Sequence, residues 1–501
     1  MQSAVNNPTR VSKPGNKLEP YLPLVLLLVS LLSAGFFLLA SHGSGGPGFP
    51  LDDAWIHQVY ARNLAQSGEW AFLPGEPSAG STAPLWSLSL ALGRWLGINF
   101  YVWTYALGVI LLWGLSWLGM LVFRVLTQAG WRWALAVGVF LALEWHLVWA
   151  ALSGMETLLQ ACLIMLVLLL LLEENPRWLL IGLVIGLSIW VRPDGITLLG
   201  PALLILLANA PHRRKLLRNS LRLALGIGSL AIPYLYFNWR LAGAALPNTF
   251  FAKQAEYAAE LTASLLSRLL EQASLPAVGA GVLLLPGFVY FLWFTLQRKR
   301  WSLAAGSLWC LGYLGMYALR LPVTYQHGRY AMPAMPVCFV WGLAGVFLLT
   351  GIPVRNSLWV VMRKTWLVSI AAVLGVFFVL GADAYRTDVA VIESEMVVTA
   401  KWIAVNTDPG ALVAAHDIGA LGYFGERQLL DLAGLVSPEV VPFIRDEKQL
   451  AKFLDERKAE YLVTFPGWYP DLTRQVTLVF QTQGEVSPKQ GGENMAVYRW
   501  R

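Results

Sequence analysis

Charge is what this sequence lacks. Only 13% of its 501 residues are Asp, Glu, Lys or Arg, against 56% hydrophobic, whereas soluble domains carry about 25% charged residues. With a mean hydropathy of +0.55, the chain reads as an integral membrane protein. Cysteine is scarce as well. Cys162, Cys310 and Cys338 lie inside apolar runs, form neither a disulfide framework nor a CxxC metal spacing, and read as small packing residues. There is no Walker or GxGxxG pattern and no internal repeat. The formal charge of +7 does not suggest nucleic acid, because the basic residues cluster in short loops between apolar spans. The 23 tryptophans fit the same class, since indole favours the membrane interface.

Long apolar runs, by contrast, are abundant. Residues 1–20 are polar and contain Arg10, Lys13 and Lys17; residues 21–40, YLPLVLLLVSLLSAGFFLLA, then supply about 20 apolar positions, enough for one crossing. No small-residue cleavage site clearly follows, so the segment reads as a retained anchor. The preceding cations place the N-terminus in the cytoplasm and the segment after the anchor outside. "HRRKLLR" (212–218), "RKR" (298–300) and the stretch from Arg355 to Lys364 are basic and expected inside. Between them lie spans near 219–239, 276–297, 302–320, 331–350 and 365–382. That leaves 240–275, the loop 321–330 and everything after about 383 outside. Earlier spans lie near 83–97, 101–125, 133–151, 155–172, 177–191 and 195–210. Alternation of sides requires one of these not to cross. The candidate is 83–97, short and carrying Arg94, as a re-entrant or surface segment. About 11 crossings result.

From about residue 383 the composition changes. "GALVAAHDIGALGYF", "AEYLVTFP", "QVTLVFQTQ" and "NMAVYRW" predict short strands, and "EKQLAKFLDERKA" predicts an amphipathic helix. The fold class is therefore mainly α: a polytopic transmembrane domain over 1–382, with a first outer loop at 41–82, and an extracytoplasmic α/β domain over 383–501. In the tail, "HDIG" with Asp431 reads as a strand-end turn with capping acids rather than a metal site.

Several stretches, taken in order, resemble the GT-C membrane glycosyltransferases, polytopic enzymes that take a sugar from a polyprenyl-phosphate carrier. The match is nearest the bacterial arabinofuranosyl- and mannosyltransferase-like branch. Residues 52–86 carry an acidic pair, a Tyr-Ala-x-Asn-Leu helix, a Pro-Gly-Glu turn, a glycine-threonine stretch and an apolar helix beginning at Leu-Trp. "SGMET" (153–157), "VRPDG" (191–195), "LPNTFFAK" (246–253), "GRYAMPAMP" (328–336) and "HDIGALGYFGERQLLDLAGL" (416–435) are similar to further family motifs. The resemblance implies an inverting glycosyltransferase at the outer face of the bacterial cytoplasmic membrane. Its partners would be a polyprenyl-phosphate-sugar donor and a glycan, lipid or protein acceptor. Neither sugar nor acceptor is set by these motifs.

Such a transfer needs a base for the acceptor hydroxyl, cations for the departing phosphate and a groove for the prenyl chain. Asp52 and Asp53 stand at the outer rim of the bilayer, where partial desolvation beside a second carboxylate raises a pKa toward that of a useful base. One Asp serves as base and the other orients it, or the pair holds a divalent cation; alternatively, they simply cap the helix that follows. His57, four residues after Asp53, shares its helical face. Arg192, between two apolar spans, is costly unless paired or functional, and Glu156, at the start of a span at the same level, is its natural partner. Lys253 and Arg329 in outer loops suit a lipid phosphate, with Asn248 and Tyr330 as neutral neighbours. Two rivals remain: a flippase of lipid-linked sugars, which would show related halves with broken helices at matching positions, and a non-catalytic envelope scaffold.

Overall fold

The computed structural model describes residues 19–43, 46–208, 212–353 and 356–500. Arg10, Lys13, Lys17 and Arg355, used above to assign sidedness, lie outside the described residues.

The apolar runs fold as helices: α1 (Leu22–His42), α4 (Phe100–Thr127), α5 (Trp131–Leu143), α6 (Trp145–Leu152), α7 (Thr157–Leu171), α8 (Trp178–Val191), α9 (Leu199–Ala208), α10 (Arg213–Ala242), α13 (Gly281–Gln297), α14 (Trp301–Arg320), α16 (Met335–Thr350) and α17 (Ser357–Val391). Shorter helices sit between them: α2 (Asp53–Ser67), α3 (Pro84–Trp95), α11 (Asn248–Glu256) and α12 (Leu265–Ser274), with the short turn α15 (Tyr325–Gly328), in which Gln326 and His327 take left-handed backbone. Among the described residues, six helices are long and apolar enough to cross a membrane, and up to eight if each of two bent pairs counts as one span. Three shorter apolar helices, Thr157–Leu171, Trp178–Val191 and Pro193–Ala208, lie in the stretch where further spans were expected. The chain is a multi-pass membrane protein.

The span expected as one piece over 133–151 is broken. α5 and α6 meet at 54° because Glu144 is extended (φ −69°, ψ 121°) and its side chain accepts from the Leu147 amide, taking over a donor that the interrupted helix leaves free. The segment 83–97 folds as α3, which does not pass as a crossing. Its Arg94 donates to the hydroxyl of Tyr423, in the C-terminal domain, at 2.8 Å, so this end of the helix lies on the side that bears the C-terminal domain.

α17 runs unbroken past residue 382, continues through six residues of wider π-helix (Ile392–Val397) and enters α18 (Val398–Asn406). The boundary expected near residue 383 thus falls inside one helix. Five strands follow, in spatial order β4-β3-β5-β7-β6: β3 (Leu412–Ala415), β4 (Gln428–Asp431), β5 (Tyr461–Thr464), β6 (Thr477–Gln481) and β7 (Ala496–Arg499). β3 pairs parallel with β4 and β5, while β7 pairs antiparallel with β5 and β6. The predicted amphipathic helix is α20 (Glu447–Arg457). One strand expectation fails in part: only the start of "GALVAAHDIGALGYF" is extended, and "GALGYF" forms α19 (Gly419–Phe424).

The first outer loop does not lie free on the surface. Phe49, Trp55, Val59, Tyr60 and Phe72 share a continuous apolar core with Val413, Ala415, Leu421 and Val463 of the outer domain. Trp55 is 0% exposed and packs against the rings of Phe49, Tyr101, Tyr423 and Phe424. The polar residues of α2 tie down its own loop. Asn63 donates to the carbonyls of Ala71 (2.9 Å) and Phe72 (3.0 Å), holding the hairpin of β1 (Ala71–Leu73) and β2 (Glu76–Pro77). The Tyr60 hydroxyl accepts the Gly80 amide at 2.9 Å.

Candidate active site

The separate motifs converge because each contributes a side chain that binds the next. The Trp86 indole donates to the Gly154 carbonyl at 2.7 Å. Gly154 takes φ +77° within van der Waals reach of Ala54 and Phe49, where a Cβ would not fit. His57 Nδ1 bonds Ser87 Oγ at 2.9 Å, and its Nε2 lies 3.5 Å from Glu156. The other oxygen of Glu156 lies 3.5 Å from Arg192, the pairing expected from sequence. Arg192 also pairs with Asp194 at 3.1 Å and donates to Tyr317 at 2.7 Å. Both carboxylates offset the cost of a buried guanidinium.

His57, Glu156, Arg192, Asp194 and Tyr317 line one cavity of 520 Å³, together with Asp53, Thr82, Thr249, Phe250, Lys253, Gln254, Arg320, Arg329 and Tyr330. Part of its wall is apolar. Ile196 and Phe250 belong to it and are 43% and 38% exposed on the outer surface of the protein, so the cavity opens through a greasy mouth.

Asp53 and Arg329 form the central ion pair. Arg329 reaches the Tyr330 hydroxyl at 3.0 Å, and its buried Nε has no hydrogen-bond partner. Burial alone would raise the Asp53 carboxyl, but Arg329, Lys253 and His57 outweigh it and bring it down to about 2. A raised pKa was the expectation, and for Asp53 the structure gives the opposite, because the like-charged neighbour points away while two cations face it. Lys253 is held 3.1 Å from Glu256, which is linked to His416 at 3.2 Å and through it to the Tyr469 hydroxyl at 2.7 Å.

Asp52 is a correction. Its side chain does not line the cavity but accepts the amides of Gly419 (2.7 Å) and Ala420 (2.8 Å), capping α19 of the outer domain. Capping was the bland alternative for the acidic pair, although the helix capped is a distant one. Burial and the nearby Asp417 push the Asp52 carboxyl up to about 8, against the pull of the two amides. Burial likewise pushes Asp417 up to about 6, and its Oδ2 has no partner. Asn248 is a second correction: it begins α11 but does not line the cavity, whereas the next residue, Thr249, does so. Asp431 accepts the amides of Ala433 and Val436 at 2.8 and 2.7 Å, a capping turn.

Asp52 and Asp53 therefore do not converge on a common point, and among the described residues no group of three or more His, Cys, Asp or Glu is placed to hold a metal ion. The cation beside Asp53 is a guanidinium. Sequence reading missed Asp194, Tyr317, Thr249 and Arg320. Asp194 had a signal, since a carboxylate two residues from an intramembrane-level arginine is a natural partner. Tyr317 and Arg320 lie at the end of an apolar run and carried none.

Comparison with known proteins comes down to the fold. A family model described as a domain of unknown function, DUF8728, matches residues 384–498, within the outer domain. No curated protein matches the sequence. Among solved structures, ArnT from Cupriavidus metallidurans bound to undecaprenyl phosphate is similar with a TM-score of 0.61 and 15% identity, over 95% of this chain and 98% of that one. The oligosaccharyltransferase of Archaeoglobus fulgidus gives 0.60 and 13%, over 90% of this chain and 70% of that one. The oligosaccharyltransferase AglB from Archaeoglobus fulgidus in complex with an inhibitory peptide and a dolichol-phosphate gives 0.58 and 12%, over 90% and 70%. The chain has the GT-C fold that its motifs resemble.

Proposed function

We propose that this protein is an inverting glycosyltransferase that moves a sugar from a polyprenyl-phosphate donor to an acceptor hydroxyl at the outer face of the cytoplasmic membrane. One observation carries the reading: a single cavity holds an ionised carboxylate, Asp53, against Arg329 with Lys253 and Arg192 on its walls, and opens through apolar residues to the surface. Solved proteins of the same fold bound to undecaprenyl phosphate and dolichol-phosphate support the donor class.

In this reading the prenyl chain lies along Ile196, Phe250 and Met316, while Arg329, Lys253 and Arg192 hold the phosphate. The acceptor oxygen attacks the anomeric carbon and that bond forms as the bond to the phosphate oxygen breaks. The electron pair leaves with the lipid phosphate, and the hydroxyl proton passes to Asp53. Positioned cations stabilise the charge growing on the leaving phosphate. In the empty site Arg329 neutralises Asp53. An incoming phosphate competes for that guanidinium, drawing it from the carboxylate and raising the basicity of Asp53 when an acceptor is to be deprotonated. His57 and Glu156 fix the wall on which Asp53 and Arg192 stand. Arg329, Lys253 and Arg192 are the cations that this reading assigns to the phosphate.

The test is reconstitution of the full chain in liposomes with a panel of polyprenyl-phosphate sugars. Transfer should disappear in Asp53→Asn and persist in Asp52→Asn. Wild-type rates from Asp53→Asn would overturn the assignment of the base.

A further inference from the structure

A second niche lies at the opposite end of the helices that form the site. α7 starts at the cavity with Glu156 and Thr157 and runs away from it, and α8 returns from Trp178 to Arg192. With 14 residues in α8, the two ends lie roughly 21 Å apart. At the remote end, Arg177, Trp178, Leu179, Leu180 and Leu183 of the α7–α8 turn and α8 face Leu206 of α9 and Lys215, Arg218, Asn219 and Arg222 of α10 across a cleft of 650 Å³.

The cleft follows from glycine packing. α8 carries Gly182 and Gly186, and α10 carries Gly226; a Cβ on Gly182 would overlap the Leu223 carbonyl oxygen, and one on Gly186 would lie 2.8 Å from Leu230. Small residues draw the two backbones together at that level, and the helices splay beyond it. Lys215, Arg218 and Arg222 stand three and four residues apart, on one face of α10. None has an ion pair or hydrogen bond among the described residues. Arg177 is bound to Glu173, and Glu174 is the one carboxylate lining the niche. Below the charged rim the wall is leucine. A charged rim over an apolar wall matches an amphiphile with an anionic head.

We infer that this niche binds an anionic phospholipid of the leaflet opposite the catalytic cavity, its phosphate on Lys215, Arg218 and Arg222 and an acyl chain along Leu179, Leu180, Leu183 and Leu206. Basic clefts between membrane helices recognise anionic headgroups in this way. The site is independent of the glycosyltransferase reading.

The experiment uses the full chain in mixed micelles of zwitterionic phosphatidylcholine, with phosphatidylglycerol titrated in, and inorganic phosphate as a separate arm. Thermal unfolding and retained lipid phosphorus are the readouts. Phosphatidylglycerol should raise the wild-type Tm by a few degrees, and inorganic phosphate should not. The triple variant Lys215→Gln/Arg218→Gln/Arg222→Gln should lose the shift and retain phosphatidylglycerol roughly tenfold less well. Arg213→Gln/Arg214→Gln, which removes neighbouring charge outside the niche, should keep both. An equal loss in the two variants means diffuse attraction to the surface, and overturns the inference. So does a wild-type shift that inorganic phosphate reproduces, or one that phosphatidylcholine alone supplies.

Discussion

Asp52 and Arg62 hold opposite ends of one short helix. Asp52 accepts the Gly419 and Ala420 amides at the N-terminus of α19, and Arg62 donates to the carbonyls of Tyr423 (2.8 Å) and Gly422 (3.0 Å) near its C-terminus. Acceptor oxygens meet the free amides of the first turn and donor nitrogens the free carbonyls of the last. Asp52 immediately precedes α2 and Arg62 lies on it, and the same helix presents Asp53 and His57 to the cavity. One helix of the outer loop thus fastens the outer domain and furnishes the site.

The neighbouring aspartates should therefore fail differently. Asp53→Asn removes the proton acceptor and should lower transfer by about 10²–10⁴-fold with the fold intact. Asp52→Asn should leave substantial transfer but loosen the docking of the outer domain by about 1–3 kcal/mol. Rates in liposomes and protease sensitivity of the outer domain separate the two.

The pH dependence should run in opposite directions. Asp52 has a folded pKa raised to about 8 from an unfolded value near 3.9, so its contribution is complete below about pH 4 and is lost as pH rises through about 8. Asp53, lowered to about 2, contributes above about pH 4 and loses that contribution as pH falls toward 2. Melting curves should show Asp52→Asn flattening the slope between about pH 4 and 8, and Asp53→Asn the slope between about pH 2 and 4.

Arg329→Gln should raise the KM for donor and lower kcat, together about 10²-fold or more in kcat/KM. It also leaves Asp53 without its main counter-charge, so the acid limb of the rate profile should move to higher pH. An unchanged limb would show that the pair in the empty site does not set the base.

Gly419 lies so close to α2 that a Cβ would overlap the Asp52 carbonyl oxygen. Gly419→Ala should destabilise the outer domain by about 1–3 kcal/mol. Gly410→Ala, where a Cβ meets nothing within 4 Å, should stay within about 0.5 kcal/mol. Thermal unfolding of both variants is the measurement.

Sidedness is open to reporter fusions. One near residue 60 should appear outside and one near residue 215 inside, since residue 60 lies on the domain-bearing side and residue 215 at the far end of α7 and α8.

Much of the site was legible because its chemistry is rare in such a chain. Arg192, Glu156, Lys253 and Arg329 stood out as charges at membrane depth or in outer loops, and all line the cavity. What misled was adjacency. Asp52 and Asp53 read as a couple, yet consecutive residues on a helix diverge by about 100°, so one faces the cavity and the other the outer domain. Asn248 fell to the same geometry, with Thr249 in its place. α19 was read as strand because six small and apolar or aromatic residues fit either period; the Asp52 cap is a contact 367 residues away in sequence.

The sequence by itself determined the membrane class, the placement of the apolar spans and the identity of the polar residues worth watching, because burial in lipid admits few charges and only where they are paired or used. Tertiary structure alone decided which carboxylate meets a guanidinium and which caps a helix. Those choices depend on side-chain direction and on partners hundreds of residues distant, and the same two letters in the sequence are compatible with either.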